Sequence, residues 1–229
     1  MPDSKNRKRM KAQRVTPKNH AKKSNPVPYI VLALSVALAL AVVLIGGLIA
    51  LFVNKPWVKD GVDVDFVPSY YADIKIKNYG TITVALNSDA APITVENFVA
   101  LARAGYYDGS TFHRIIEGFM MQGGAGDGSA ATIKGEFSAN GVDNPLLHTR
   151  GAISMARGND KNSASSQFFI CQSTEGCAHL DGSYACFGYV TKGLKVVDKV
   201  CKKAEPTDNN GSIAASKQPV IESITIREN

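Results

Sequence analysis

Between residues 71 and 87 apolar and polar positions alternate, first in YADIKIKN and then in TITVALN, with the turn-like NYG between them. A period of two puts successive side chains on opposite faces, so the two stretches predict a β-hairpin. The spacing changes in SDAAPITVENFVALARAG, where Val95, Phe98, Val99 and Ala102 fall on one side of a helix, Pro92 suits its first turn and Gly105 its stop. Beyond it come short strand-like runs punctuated by glycine: TFHRII, FMMQ, GAISMA, SQFFICQ, YACFGYV and finally VIESITIRE. A second helical pattern, LKVVDKVCKKA, precedes the polar loop EPTDNNGSIAASKQP. Many short strands, few helices and no βαβ alternation predict a mainly β protein whose antiparallel sheet closes on itself.

Ahead of this region lies YIVLALSVALALAVVLIGGLIALFV, residues 29–53, a run without a charge in which Ser35 is the only clearly polar residue. As a helix it reaches roughly 37 Å, enough for a hydrocarbon core of roughly 30 Å. A cleaved signal peptide also begins basic, but its apolar core is about half as long and ends at a small-residue site that is missing here. An uncleaved transmembrane helix is therefore expected. Residues 1–28 carry nine Lys or Arg against Asp3 alone. That bias places the N-terminus in the cytoplasm and the rest of the chain outside the cytoplasmic membrane. Residues 54–70 read as a stalk, and 71–229 as the folded domain.

The tail also explains the net charge of +6, since residues 29–229 hold 17 basic and 19 acidic residues. No basic footprint for nucleic acid remains on the domain, and a basic tail beside a membrane span is better matched to anionic lipid than to a nucleic acid. The bilayer is thus the partner expected for residues 29–53.

Reactive chemistry is hard to find. His20, His113, His148 and His179 are scattered without metal-ligand spacing, no G-x-S-x-G elbow is present, and GGAGDGSA at 123–130 lacks the ending of a phosphate loop. No metal and no cofactor is expected. Cys171, Cys177, Cys186 and Cys201 all fall in the domain; four cysteines allow three pairings, but two lie in apolar strand-like runs, and buried free thiols are the plainer reading. What stands out instead is apolar and amide-rich. Met120 and Gln122 share one strand face, Gln167 and Phe169 another, and Arg114 is a charge set among apolar residues.

FHRIIEGFMMQGG, together with GAISMARGNDKNSASSQFFICQ and HLDGSYACFGYV, closely resembles the cyclophilin-type peptidyl-prolyl cis-trans isomerases, in a short-looped form similar to their bacterial branch. The likeness runs from about Tyr71 to the C-terminus. It implies an eight-stranded antiparallel β-barrel capped by two helices, with a groove on its outer surface that binds proline-containing polypeptides. Arg114 falls where the family has its catalytic arginine. Phe119, Met120, Gln122, Ala156, Gln167, Phe169 and Leu180 fall on its pocket positions.

The rim differs from many members. Glu117 stands where proline is common, Arg157 where eukaryotic members have asparagine, His179 where some carry tryptophan, and Tyr184 where many carry histidine. Arg157, His179 and Tyr184 are thereby candidate substrate contacts. The tryptophan position contributes strongly to binding cyclosporin in the family, so His179 puts the affinity for an inhibitor of that type in question. The resemblance implies rotation about X-Pro bonds, a reaction that breaks no covalent bond and fits the missing nucleophile, and the expected topology points to exported or envelope proteins as its substrates. A membrane-tethered module that holds proline segments without turnover is the competing reading, and a structural anchor a third.

Overall fold

The computed structural model describes residues 60–229, so the basic tail, the apolar run at 29–53 and the first residues of the expected stalk lie outside the described residues. Eight strands follow one another: β1 (Tyr70–Ile76), β2 (Gly80–Leu86), β3 (Phe112–Ile116), β4 (Met120–Gly123), β5 (Ala152–Met155), β6 (Phe168–Cys171), β7 (Cys186–Lys192) and β8 (Ile221–Glu228). They form one antiparallel sheet in the order β3-β4-β6-β5-β7-β2-β1-β8. The edge strands meet through Thr111 and Val220, with Gly109 N–H donating to Ile221 O at 2.9 Å and Ile221 N–H to Ser110 O at 2.8 Å. The expected mainly β architecture is thus present, and every expected strand and long helix is found within a residue or two.

The sheet has two apolar faces. The inner one holds Ile74, Ile82, Phe112, Ile115, Met121, Ile153, Phe168 and Ile170, all essentially without exposure, and is the main core. The other is a smaller cluster of Met120, Ala152, Phe169, Cys171, Cys177, Leu180 and Cys186 on the outside. Odd and even residues of one strand therefore serve different cores, as the period of two requires. Helix α1 (Pro92–Arg103) packs Val95, Phe98, Val99 and Ala102 into the main core, the face read from the sequence. Helix α2 (Thr174–Cys177) is a single turn within a stretch for which no helix is expected, begun by Ser173, whose Oγ accepts from Gly176 N–H. Helix α3 (Leu194–Lys203) is the second expected helix.

Neither long helix is capped from its own sequence. At the start of α1 the cap residue is Ala91, without a side-chain bond. The carboxylate of the distant, 2% exposed Glu136 takes that role, accepting from Ile93 N–H (3.0 Å), Thr94 N–H (2.7 Å) and Thr94 Oγ1–H (2.7 Å). At α3 the cap residue is Gly193, and Asp60 supplies its backbone carbonyl to Leu194 N–H and its Oδ1 to Lys195 N–H at 2.7 Å. Two carboxylates thus meet the positive ends of two helices.

Asp60 also corrects the boundary drawn from the sequence. Residues 60–69, read as stalk, lie along the domain: Val62 N–H donates to Val190 O at 2.7 Å, the Val62 side chain packs on the main core, and Phe66 sits 6.4 Å from Tyr189. The alternation of Val and Asp in GVDVD belongs to a segment laid against the domain, with Val62 and Val64 partly covered and Asp63 and Asp65 exposed.

Candidate active site

The outer cluster lies beneath a row of paired residues. Arg114 on β3 pairs with Gln122 on β4, Gln122 with Phe169 on β6, Phe169 with Ser154 on β5, and Ser154 with Cys186 on β7. A register shift between Phe112 and Arg114, the mark of a β-bulge, turns the arginine out of the simple alternation. Around this row is a cavity of about 160 Å³, lined by Arg114, Phe119, Met120, Gln122, Ala156 and Arg157 and closed by Phe169, Leu180 and Tyr184. Phe169 and Leu180 are almost fully buried, so the floor is apolar and rigid.

Arg114 is held by neutral acceptors. Its Nε–H donates to Asn210 O at 2.8 Å, and Nη1 faces Gln122 Oε1 at 3.4 Å and Met120 Sδ at 3.8 Å. Its guanidinium lies 5.9 Å from the Phe119 ring. Gln122 Nε2–H in turn donates to Gln167 Oε1 at 3.0 Å. No hydrogen bond within the described residues engages Nη2 of Arg114, which leaves donors for a bound molecule. The Asn210 carbonyl comes from a polar loop. Asp208 Oδ1 shapes it by accepting from Asn210 and Ser212 N–H, and Gly211 has φ of 84°, where a Cβ would meet Ile116 Cγ1 at 2.4 Å. The DNNG turn was the available signal, since Asp and Gly in such runs mark tight turns, but nothing local to it pointed to Arg114.

Other supports were equally invisible. Gln172 fixes the turn that carries Phe119, its Oε1 accepting from Gly118 N–H at 2.7 Å and its own backbone N–H donating to Phe119 O at 2.8 Å. The buried His148 ring stacks 5.9 Å from Phe169, with Nδ1 2.9 Å from Asp181 Oδ1 and Nε2 3.0 Å from Ser154 Oγ. Because a carboxylate only accepts, the proton sits on Nδ1 and Ser154 O–H donates to Nε2. Burial holds the His148 pKa below its usual value despite the opposing pull of Asp181. Asp181 reaches solvent, but Ser154 and His148 are at most 1% exposed, so this Ser-His-Asp chain offers no nucleophile to solvent.

Of the residues singled out from the sequence, nine line the central cavity. Gln167 stands just beside it, in an adjoining cavity of about 210 Å³ shared with Gln122, Ala156 and Arg157. His179 is exposed at the rim, its ring 5.5 Å from Phe119, and does not line either cavity. Tyr184 packs edge-on to Phe169 at 5.8 Å. Glu117 lines neither cavity; burial, with smaller contributions from Asp198 and Glu117, pushes the Cys201 thiol of α3 up to about 12. All four cysteines are buried free thiols, and burial raises Cys171 and Cys186 as well.

The described residues therefore bring together an apolar socket, an amide pair and a cation with spare donors. Residues 71–228 match the family described as Cyclophilin type peptidyl-prolyl cis-trans isomerase/CLD. Among curated relatives, peptidyl-prolyl cis-trans isomerase A of Dickeya dadantii is 41% identical over 156 residues, covering 64% of this chain and 80% of that protein. Isomerase B of Escherichia coli is 35% identical over 158 residues, covering 66% and 96%. A Cryptosporidium parvum cyclophilin, solved in the presence of the dipeptide Ala-Pro, superposes with a TM-score of 0.59 at 28% identity, covering 69% of this chain and 99% of that one.

Proposed function

The chain belongs to the cyclophilin-type peptidyl-prolyl cis-trans isomerases and is an enzyme of that class, and we propose that Arg114 is its catalytic residue and the cavity around it the seat of the substrate proline. The supporting observation is a guanidinium fixed by three neutral acceptors over an apolar socket, with Nη2 left to donate. Rotation about an amide is opposed by a barrier of about 18–20 kcal/mol because the planar form is conjugated. When the bond twists, conjugation is lost and the imide nitrogen regains a lone pair. A donor aimed at that nitrogen binds the twisted state better than either planar isomer, which is what lowers a barrier. Arginine remains charged and has donors to spare, and its position costs no reorganisation at the moment of twisting.

In this reading Phe119, Met120, Phe169 and Leu180 hold the pyrrolidine ring. Gln122, Gln167 and the backbone at Ala156 hold the flanking chain, while Arg157 and Tyr184 form one rim and His179 the other, beside Phe119. Rotation transfers no group and no electron, so these side chains suffice for the step. The substrates are X-Pro bonds of exported or envelope proteins, reached from a domain anchored by residues 29–53 and facing away from the cytoplasm. The support for that placement is the uncharged 25-residue run preceded by nine positive charges.

Arg114→Ala is expected to lower kcat/KM for a proline tetrapeptide by roughly two to three decades, the effect of deleting one positioned donor, while the circular dichroism spectrum stays that of the parent chain. A variant within a few-fold of the parent would remove Arg114 from the catalytic role.

A further inference from the structure

Two guanidinium groups line the central cavity, and neither has an anionic partner among the described residues. Arg157 is the less expected of the two. Its Nε and Nη2 both donate to Ser183 O, at 3.1 and 2.9 Å, and Nη1 donates to Gly158 O at 2.8 Å. Its Cζ lies 4.7 Å from the Tyr184 ring centroid and 5.2 Å from that of Phe137. Carbonyls and ring faces immobilise the group without cancelling its charge. The acids nearby are engaged elsewhere: Asp160 Oδ1 accepts from Asn162 N–H in its own loop, and Asp181 Oδ1 from the N–H and Nδ1 of His148.

Arg157 also stands where the two cavities join, since both are lined by Gln122, Ala156 and Arg157. The second is otherwise lined by uncharged groups, among them Ser163, Ser165 and Gln167. A chain with its proline in the first cavity advances about 3.3 Å per residue when extended, so a side chain within about two residues of the proline reaches the second. We infer that Arg157 selects substrates, favouring proline segments that carry a carboxylate side chain at such a position and disfavouring those that carry an ammonium there. The inference rests on the proline occupying the central cavity, and goes beyond it by assigning a charge preference and the residue that sets it.

The test uses the full chain and tetra- to hexapeptides with Glu, Gln or Lys placed in turn at each position up to two residues on either side of proline. Turnover and affinity are measured for each, the latter by calorimetry. At one position or more, Glu is expected to exceed Gln by roughly 2- to 5-fold at low salt, the size of a partly exposed ion pair, with Lys below Gln. The Glu-to-Lys ratio should shrink toward one near 1 M salt, where screening acts over about 3 Å. It should shrink at low salt in Arg157→Gln and persist in Arg157→Lys, which keeps the charge. Equal values for Glu and Lys at every position, or a ratio that survives in Arg157→Gln, would overturn the inference. If no peptide is isomerised, the catalytic reading fails by itself and the same ranking in affinity still decides this one. Should Arg157→Gln not fold, the salt dependence of the parent chain decides: a Glu-to-Lys ratio unchanged by salt would overturn the charge preference.

Discussion

Arg114 shows how a single residue can be legible in type and illegible in support. A cation in an apolar strand announces an unusual site, and its position in FHRII points to the groove. What holds it is the Asn210 carbonyl, 96 residues further along the chain. His148 is the converse case: in the sequence it is one scattered histidine among four, and in the fold it is a buried imidazole stacked on the pocket floor at Phe169. Its pKa is lowered by burial, and that of His113 by burial and then by Arg114. The unfolded chain takes up protons near pH 6.5, whereas the folded one resists until lower pH, so stability is full above that value and falls as pH drops toward the folded pKa values. The lowered Asp73 and Asp198 carboxyls act in the other range, losing their contribution only below about pH 4. Urea midpoints should accordingly decrease between about pH 7.5 and about pH 5.5, and a variant with Gln at positions 113 and 148 should show a flatter profile. A profile equally steep in that variant would mean that other groups carry the dependence.

At the scale of elements, strands and helices were readable because each follows from a local period and local punctuation. The caps were not. Ala91 and Gly193 begin the two long helices without a capping side chain, and Glu136 and Asp60 arrive from 43 and 135 residues away in sequence. Removing the Glu136 carboxylate strands the N–H and hydroxyl of the fully buried Thr94 and takes the partner of the Ile93 N–H as well. Glu136→Ala should therefore cost about 3 kcal/mol and lower the melting temperature by roughly 9 °C for a domain of this size. The more exposed Asp60→Ala should cost about 1 kcal/mol. Both are read by thermal denaturation, and both should keep kcat/KM within about two-fold well below the transition, since neither residue touches the groove. A loss of activity without a loss of stability would contradict the division between cap and site. The missed helix α2 has a related cause: a single turn started by Ser173 is too short to show a helical period.

At the scale of the whole molecule, the groove lies on the outer face of the sheet and is backed by its own small cluster, so the main core and the site are built from alternate residues of the same strands. That separation lets the rim residues Arg157, His179 and Tyr184 differ from those of many members while the sheet and its main core stay intact. The proposed anchor belongs to this scale too. A chain starting at Asp60 retains the Asp60 cap and the Val62 contact, and is expected to leave the membrane fraction while keeping the catalytic efficiency of the full chain on short peptides. Fractionation of the two forms checks the first part and a peptide assay the second. A full chain found with soluble protein would dismiss the anchor.

The sequence by itself determined the order of the strands and the two long helices, the family, and the residue types of the socket, because periods of two and 3.6 and short motifs are written within a few consecutive residues. Tertiary structure decided how those residues act together. The strand order β3-β4-β6-β5-β7 puts Arg114, Gln122, Phe169 and Ser154 in one row, and loops far along the chain supply the carbonyls at Asn210 and Ser183 that orient two cations. Backbone carbonyls are the same in every residue, so no side-chain pattern marks which of them will face a guanidinium. Only the closed packing of the chain selects them.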